Sequence, residues 1–209
     1  MRDEVIVLGD SGHAKVCIEL LRDMGYRVAY CVGVSGAQVC LDVPILQGDD
    51  HLIRLRAEGF KLAFVAIGVN AVRSRIASMA ETRGFELVNA ISPRANVSSS
   101  AKLGKGIAVM AGAVINADAV IDSLSIVNTG ASIDHDCSIG EAVHIAPGCS
   151  LAGNVTVGAG SFLGVGSKVI PEISIGRNVT VGAGAVVIRD LPDNISAIGV
   201  PARPLIRRV

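Results

Sequence analysis

Tryptophan is absent from the 209 residues, and tyrosine and phenylalanine number only two and four. Flat side chains for base stacking are scarce, so binding of single-stranded nucleic acid is not expected. An excess of positive charge is missing too. The 19 Lys and Arg balance 19 Asp and Glu, for a formal net charge of zero, so composition gives no basic face for a phosphate backbone. Long apolar runs are also lacking. The longest, "LAFVAIGV" at 62–69, has the length of a strand and not of a membrane span. The opening "MRDEVIVLGD" has no long apolar segment and no small-residue cleavage site. A cytoplasmic chain without membrane insertion is therefore expected. The five cysteines, at 17, 31, 40, 137 and 149, are odd in number and form no CxxC pair. They read as small buried residues of a reducing compartment, not as a disulfide framework or a zinc site.

What is present falls into two halves of different period. Up to residue 92, strand and helix signals alternate. "EVIVLG" (4–9) is a short apolar run closed by glycine. "HAKVCIELLRDMG" (13–25) places Val16, Leu20 and Leu21 at helical spacing. Strand signals follow at 26–32, 61–68 and 85–91. Helix signals lie at 49–59, opened by an Asp cap, and at 70–84, capped by Asn70. This alternation predicts a small parallel sheet covered by helices. From Val97 to Val187 every sixth residue is a branched aliphatic, sixteen in succession. A small or β-branched residue usually stands four places later, as in Ala113, Ala131, Cys137 and Cys149. A six-residue period predicts a parallel β-helix. Three units make one triangular coil, and the 91 residues from 97 to 187 make about five coils rising by the ~4.8 Å strand spacing. The expected domains are 1–92 and 93–209.

Phase separates the residues that pack from those that can do chemistry. In "NTGASIDHDCSIGEAVH" (128–144), Ile133 and Ile139 point inward, as does Cys137, which is therefore a poor nucleophile. Asp134, His135, Asp136 and His144 point outward. The two histidines are nine residues apart, half a coil, so they leave nearly opposite sides of one prism. A single chain does not readily unite them, whereas neighbouring prisms in a threefold ring do. His135 beside carboxylates reads either as a solvated surface residue or as a general base. A metal site needs about three well-placed ligands, and two histidines on opposite sides do not supply them. In the first half, "GDSGH" follows a strand and opens a helix, where free N–H groups favour a phosphate. An ordinary tight turn is the alternative, and the stretch is not the GxGxxG of a dinucleotide site.

"GDSGHAKV" (9–16), the stretch from "NTGASIDHD" through "GVGS" (128–167) and "GVPAR" (199–203) resemble, over nearly the whole chain, the sialic acid O-acetyltransferase and nucleotide-amino-sugar N-acetyltransferase family. These are hexapeptide-repeat acyltransferases of the bacillosamine and perosamine type. The resemblance implies a Rossmann-like α/β domain followed by a left-handed parallel β-helix, assembled as a homotrimer with active sites between chains. It implies acetyl-CoA as co-substrate, a nucleotide-sugar acceptor and no metal. His135 would be the catalytic base, with Asp136 raising its basicity where bacillosamine-pathway members often carry Glu. Ser11, Gly12 and His13, with Gly68 and Asn128, would bind the sugar nucleotide. His144, Gly153, Val165 and Ala183 would bind acetyl-CoA. One departure stands out. Relatives often place an acidic pair after the second strand, where this chain reads "CVGVSG" (31–36).

The activity so implied is N-acetylation of a nucleotide-activated 4-amino sugar, a UDP-4-amino-trideoxy sugar or GDP-perosamine, for surface glycan biosynthesis. O-acetylation of sialic acid or another surface sugar is the nearest alternative. A non-catalytic β-helix scaffold is the alternative of another class, and it would bind no CoA.

Overall fold

The computed structural model describes residues 3–205. Contacts divide the chain into two units, one ending at Pro93 and the other beginning at Arg94.

The first unit is a six-stranded sheet with three helices. Its strands are β1 (Glu4–Leu8), β2 (Arg27–Gly33), β3 (Val39–Cys40), β4 (Val43–Gln47), β5 (Leu62–Val65) and β6 (Glu86–Leu87), in the order β3-β4-β2-β1-β5-β6. All pairs are parallel except β3 with β4. Central β1 reads as an almost unbroken apolar run because it is covered on both faces, and Val5, Ile6 and Val7 are fully buried. The helices are α1 (Gly12–Asp23), α2 (His51–Ala57) and α3 (Asn70–Thr82).

Several local expectations shift. The buried stripe of α1 is Ala14, Cys17, Ile18, Leu20 and Leu21, and Val16 faces outward. Asp50 precedes α2 with helical backbone angles and makes no capping bond. Asn70 is the first helical residue of α3, and its side chain accepts from Arg73 instead of capping. The β3–β4 hairpin turns on Leu41, at φ 55°, and Asp42, without the Asn-Gly or Asp-Gly that usually marks such a turn. The strand expected at 85–91 is two pieces, Glu86–Leu87 and Ala90–Ile91.

The second unit is the left-handed β-helix. Each six-residue step contributes a two-residue strand, and each strand pairs in parallel with the one eighteen residues on, as Ile115 with Ile133 and Ile133 with Leu151. One face contains Ile126–Val127, His144–Ile145 and Phe162–Leu163. A second contains Val114–Ile115, Ser132–Ile133 and Ser150–Leu151. The third contains Val120–Ile121, Ser138–Ile139 and Thr156–Val157.

From Val109 to Val187, every sixth aliphatic is at most 3% exposed. Truncating one of the leucines or isoleucines among these to alanine costs about 2–5 kcal/mol. The small residues four places later are buried as well and tie successive coils together. Ser125 Oγ donates to the Gly140 carbonyl at 2.9 Å, and Ser161 Oγ donates to that of Gly176 at 2.8 Å. The corners have a period of their own. From Gly106 to Gly184 every sixth residue has φ between 52° and 73°. Gly, Asn and Asp fill most of these places, as the left-handed region requires.

Candidate active site

His135 lies at the corner between the second face (Ser132–Ile133) and the third (Ser138–Ile139). His144 belongs to a strand of the first face. A vertex and the face opposite it separate them, as the half-coil spacing predicts.

Asp136 holds one of the left-handed corners, at φ 60°. An aspartate there is unremarkable in itself. What matters is that its Oδ2 lies 2.7 Å from His135 Nδ1. The side chain is one methylene shorter than glutamate, and it reaches. The preceding residue completes the arrangement. Asp134 Oδ1 accepts the His135 backbone N–H at 2.8 Å and the Asn116 amide at 2.9 Å. Those two bonds hold the Asp134 carboxyl below the usual carboxylate range, the Asn116 contact contributing most. The Asp136 hydrogen bond is the main reason that the His135 pKa is raised. With Nδ1 committed to Asp136, Nε2 is the nitrogen that can exchange a proton with a ligand. The ring is 56% exposed, so a ligand can reach it.

His144 is half-buried and differently held. Its Nε2 is 3.1 Å from Asn128 Nδ2, and its ring packs edge-on against Phe162 at 5.2 Å. Asn128 Oδ1 in turn accepts from the Thr129 backbone at 2.8 Å. Asn128 and His144 therefore form one cluster, away from His135. Val165 and Ala183 lie one coil apart at the corner that follows the first face, joined by the bond from Gly184 N–H to the Val165 carbonyl at 2.8 Å. Val165 is 55% exposed. Gly153 is not with them. It stands one coil above His135, directly against the imidazole. The four residues expected to bind acetyl-CoA thus divide between two sides of the prism. Phe162 did not figure in the sequence reading, although it stands one coil, eighteen residues, above His144.

In the first unit, Ser11 precedes α1 in extended conformation and makes no side-chain cap. The start of this helix has no acidic residue in its first turn, so its N–H groups are available to an anion. Close approach is built in at Gly9, with φ 127°, where a Cβ would lie 2.7 Å from the Ala66 carbonyl oxygen. His13 lies half-buried with Nε2 unpartnered. Burial first, and Arg73 second, hold its pKa down to about 4, so the ring is neutral. Arg73 is 1% exposed and donates to the carbonyls of Ile67 (2.9 Å) and Gly68 (3.1 Å). It fixes the loop that carries Gly68.

The segment after β2 has no carboxylate of its own, but it does hold one in space. Asp10 Oδ2 accepts the Ser35 N–H at 2.8 Å. The Asp10 side chain occupies the space above Gly33, where a Cβ would lie 2.1 Å from its Cγ. Gln47 braces the same loop by accepting from Gly36 and donating to Ala37. Sequence proximity to "SGH" was the one signal for Asp10.

All five cysteines are free and buried, and burial raises the Cys137 thiol. Among the described residues no group of three His, Cys, Asp or Glu is placed to hold a metal ion, and no helix is long and apolar enough to cross a membrane.

Residues 4–80 match the family model described as the PglD N-terminal domain. Over 97% of its length the chain is 50% identical to a histidine-to-asparagine mutant of perosamine N-acetyltransferase from Caulobacter crescentus, solved with CoA and GDP-perosamine. The TM-score is 0.95, with 96% of that chain covered. The chain belongs to the hexapeptide-repeat acetyltransferases of nucleotide amino sugars. The acetyltransferase domain of PglB from Neisseria gonorrhoeae, in complex with acetyl coenzyme A, is 38% identical over 98% of this chain and all of that one, with a TM-score of 0.90. WeeI from Acinetobacter baumannii, at 23% identity and a TM-score of 0.85 over 97% of this chain and 100% of that one, shares the fold. Membership in this acetyltransferase family accounts for the pairing of a sheet unit with a β-helix in one chain.

Proposed function

We propose that the chain transfers the acetyl group of acetyl-CoA to the amine of a nucleotide-activated 4-amino sugar, of the GDP-perosamine or UDP-4-amino-trideoxy type, for surface glycan biosynthesis in the cytoplasm. The carrying observation is the His135–Asp136 pair, an accessible imidazole with Nδ1 tied 2.7 Å from a carboxylate. Its relatives support the amine over a sugar hydroxyl as acceptor. The perosamine enzyme from C. crescentus is an N-acetyltransferase crystallised with GDP-perosamine.

The amine nitrogen attacks the thioester carbonyl and gives its proton to His135 Nε2. Asp136 stabilises the imidazolium that results. The tetrahedral oxyanion needs an N–H donor. The backbone N–H of Gly153 makes no hydrogen bond among the described residues and belongs to the residue that lies against the ring. Collapse forms the amide, breaks the C–S bond and returns the proton to the departing CoA sulfur. Cys137 is buried and needs no covalent role.

The first unit binds the nucleotide in this reading. Ser11, Gly12 and His13 take the phosphates at the start of α1, Gly68 borders them, and the uncommitted oxygen of Asp10 accepts a sugar hydroxyl. A homotrimer completes the site, with His135, Asp136 and Gly153 from one chain facing His144, Asn128, Val165 and Ala183 of the next. The separation of the two histidines on one prism supports this.

The test is direct. The purified chain is incubated with acetyl-CoA and, separately, with GDP- and UDP-linked 4-amino sugars and with free sialic acid. A mass gain of one acetyl group on a nucleotide amino sugar is expected. Acetylation of sialic acid alone would overturn the proposal, and failure to bind CoA at all would favour a scaffold.

A further inference from the structure

Gly153, like Gly160 against Asn178 and Gly182 against Ile198, leaves room for a side chain of a neighbouring segment, and here that side chain is an imidazole. At Gly104, Gly140, Gly158 and Gly164 an added Cβ would meet backbone atoms of the following coil. At Gly153 all three of its nearest neighbours would be ring atoms of His135: Cε1 at 2.5 Å, Nε2 at 2.6 Å and Nδ1 at 3.1 Å. Real Cβ atoms essentially never approach as closely as the first two of these. The backbone does not demand glycine here, since φ of Gly153 lies outside the left-handed region. Nor can this backbone retreat. The Gly153 carbonyl accepts the Glu172 N–H at 3.0 Å, and the next residue, Asn154, donates to the His135 carbonyl at 3.0 Å. At eighteen-residue spacing the same corner position reads Ser99, Ala117, His135, Gly153, Pro171. The place that follows the histidine is the one without a side chain.

We infer that Gly153 is a positioning residue for His135: the missing side chain is the seat on which the imidazole lies, with Nδ1 against Asp136. A methyl group at 153 occupies the volume of the ring. The coil closes the inner side, so the ring swings outward into solvent and leaves the Asp136 carboxylate. The catalytic consequence rests on His135 being the base, while the seat itself does not.

The test is Gly153→Ala in the full chain, read in two ways. The chain has four histidines, so the imidazole resonances can be assigned by single substitutions and titrated by NMR. In the variant, the His135 titration is expected to move down toward that of an ordinary histidine. The kcat is expected to fall at least ~tenfold while the KM for acetyl-CoA stays within about twofold. In a His135→Ala background, Gly153→Ala is expected to cost nothing further. An unchanged His135 titration would overturn the inference. So would a rise in acetyl-CoA KM that persists in the double variant, which would assign the glycine to CoA itself. Should Gly153→Ala fail to fold, the pair with His135→Ala removes the clash and must restore folding. Its failure to do so would also count against the seat. If His135→Ala alone keeps near-normal activity, the base assignment falls, and the titration still decides the role of Gly153.

Discussion

The two units each carry a histidine tuned by its neighbours, in opposite directions. His135 stands exposed at a corner of the β-helix, where Asp136 and then Asp134 draw its pKa upward. His13 sits half-buried at the start of α1, where burial and then Arg73 bring it down to about 4. One ring is made ready to hold a proton, the other is kept neutral. Such division fits the proposed function, in which His135 accepts a proton and His13 lies where the phosphates are held. The difference does not come from the histidines. A β-helix corner projects side chains into solvent, where local carboxylates dominate. The crevice at the carboxyl ends of parallel strands desolvates whatever it holds.

Removing His135 breaks the comparison most strongly. His135→Ala is expected to lower kcat by ~10²–10⁴-fold, the usual contribution of a general base, and to leave the oligomer seen by size exclusion unchanged. Near-normal turnover would end its assignment. The proposed interchain arrangement can be probed with the same variant. Co-refolding His135→Ala with His144→Ala chains should restore about a quarter of the sites if each joins two neighbours in a closed ring, and none if each lies within one chain.

A smaller effect is expected from Asp136→Asn, since asparagine suits the left-handed corner. Loss of the carboxylate lowers the His135 pKa. The reactive form is the neutral ring, so wild-type activity rises as pH climbs through the raised pKa. In the variant that limb should move to lower pH while the plateau falls by about tenfold. An unmoved acid limb would detach Asp136 from the base.

Asp10→Asn addresses the other unit. A few-fold rise in KM for the nucleotide sugar with unchanged kcat is expected, because a charged acceptor becomes a neutral one. Equal KM values would leave Asp10 a purely structural brace of the loop after β2.

The smallest effect concerns stability. The folded-state pKa of His13 is lowered, so the unfolded chain binds the proton first. Stability contributed by the neutral ring is present above the unfolded value of 6.5 and is lost as pH falls from there toward about 4. His13→Asn should flatten that part of the melting-temperature profile. A profile parallel to wild type would show that the ring is solvated after all.

Much of this was legible beforehand because the β-helix converts sequence spacing into geometry. The six-residue period assigned Ile133 and Cys137 inward and His135 outward. His135 and Asp136 are adjacent in sequence, so their pairing needed only the corner conformation to be realised. The first unit was less transparent. Its helical stripe left Val16 outside, and its β3–β4 hairpin turned without glycine. Short elements there take their form from packing, which overrides the weak local preferences of a few residues.

By itself, then, the sequence determined the repeat, the inward columns and the outward placing of His135 beside Asp136. These depend on periodicity and on neighbours along the chain. Only the tertiary structure decided that Asp10 crosses to Ser35, that Arg73 lies beneath the Gly68 loop beside His13, and that the His135 ring lies against Gly153. The first two depend on contacts that carry no signal until the chain has folded; for the third, the eighteen-residue coil stacks Gly153 on His135, and only the fold shows the ring lying against it.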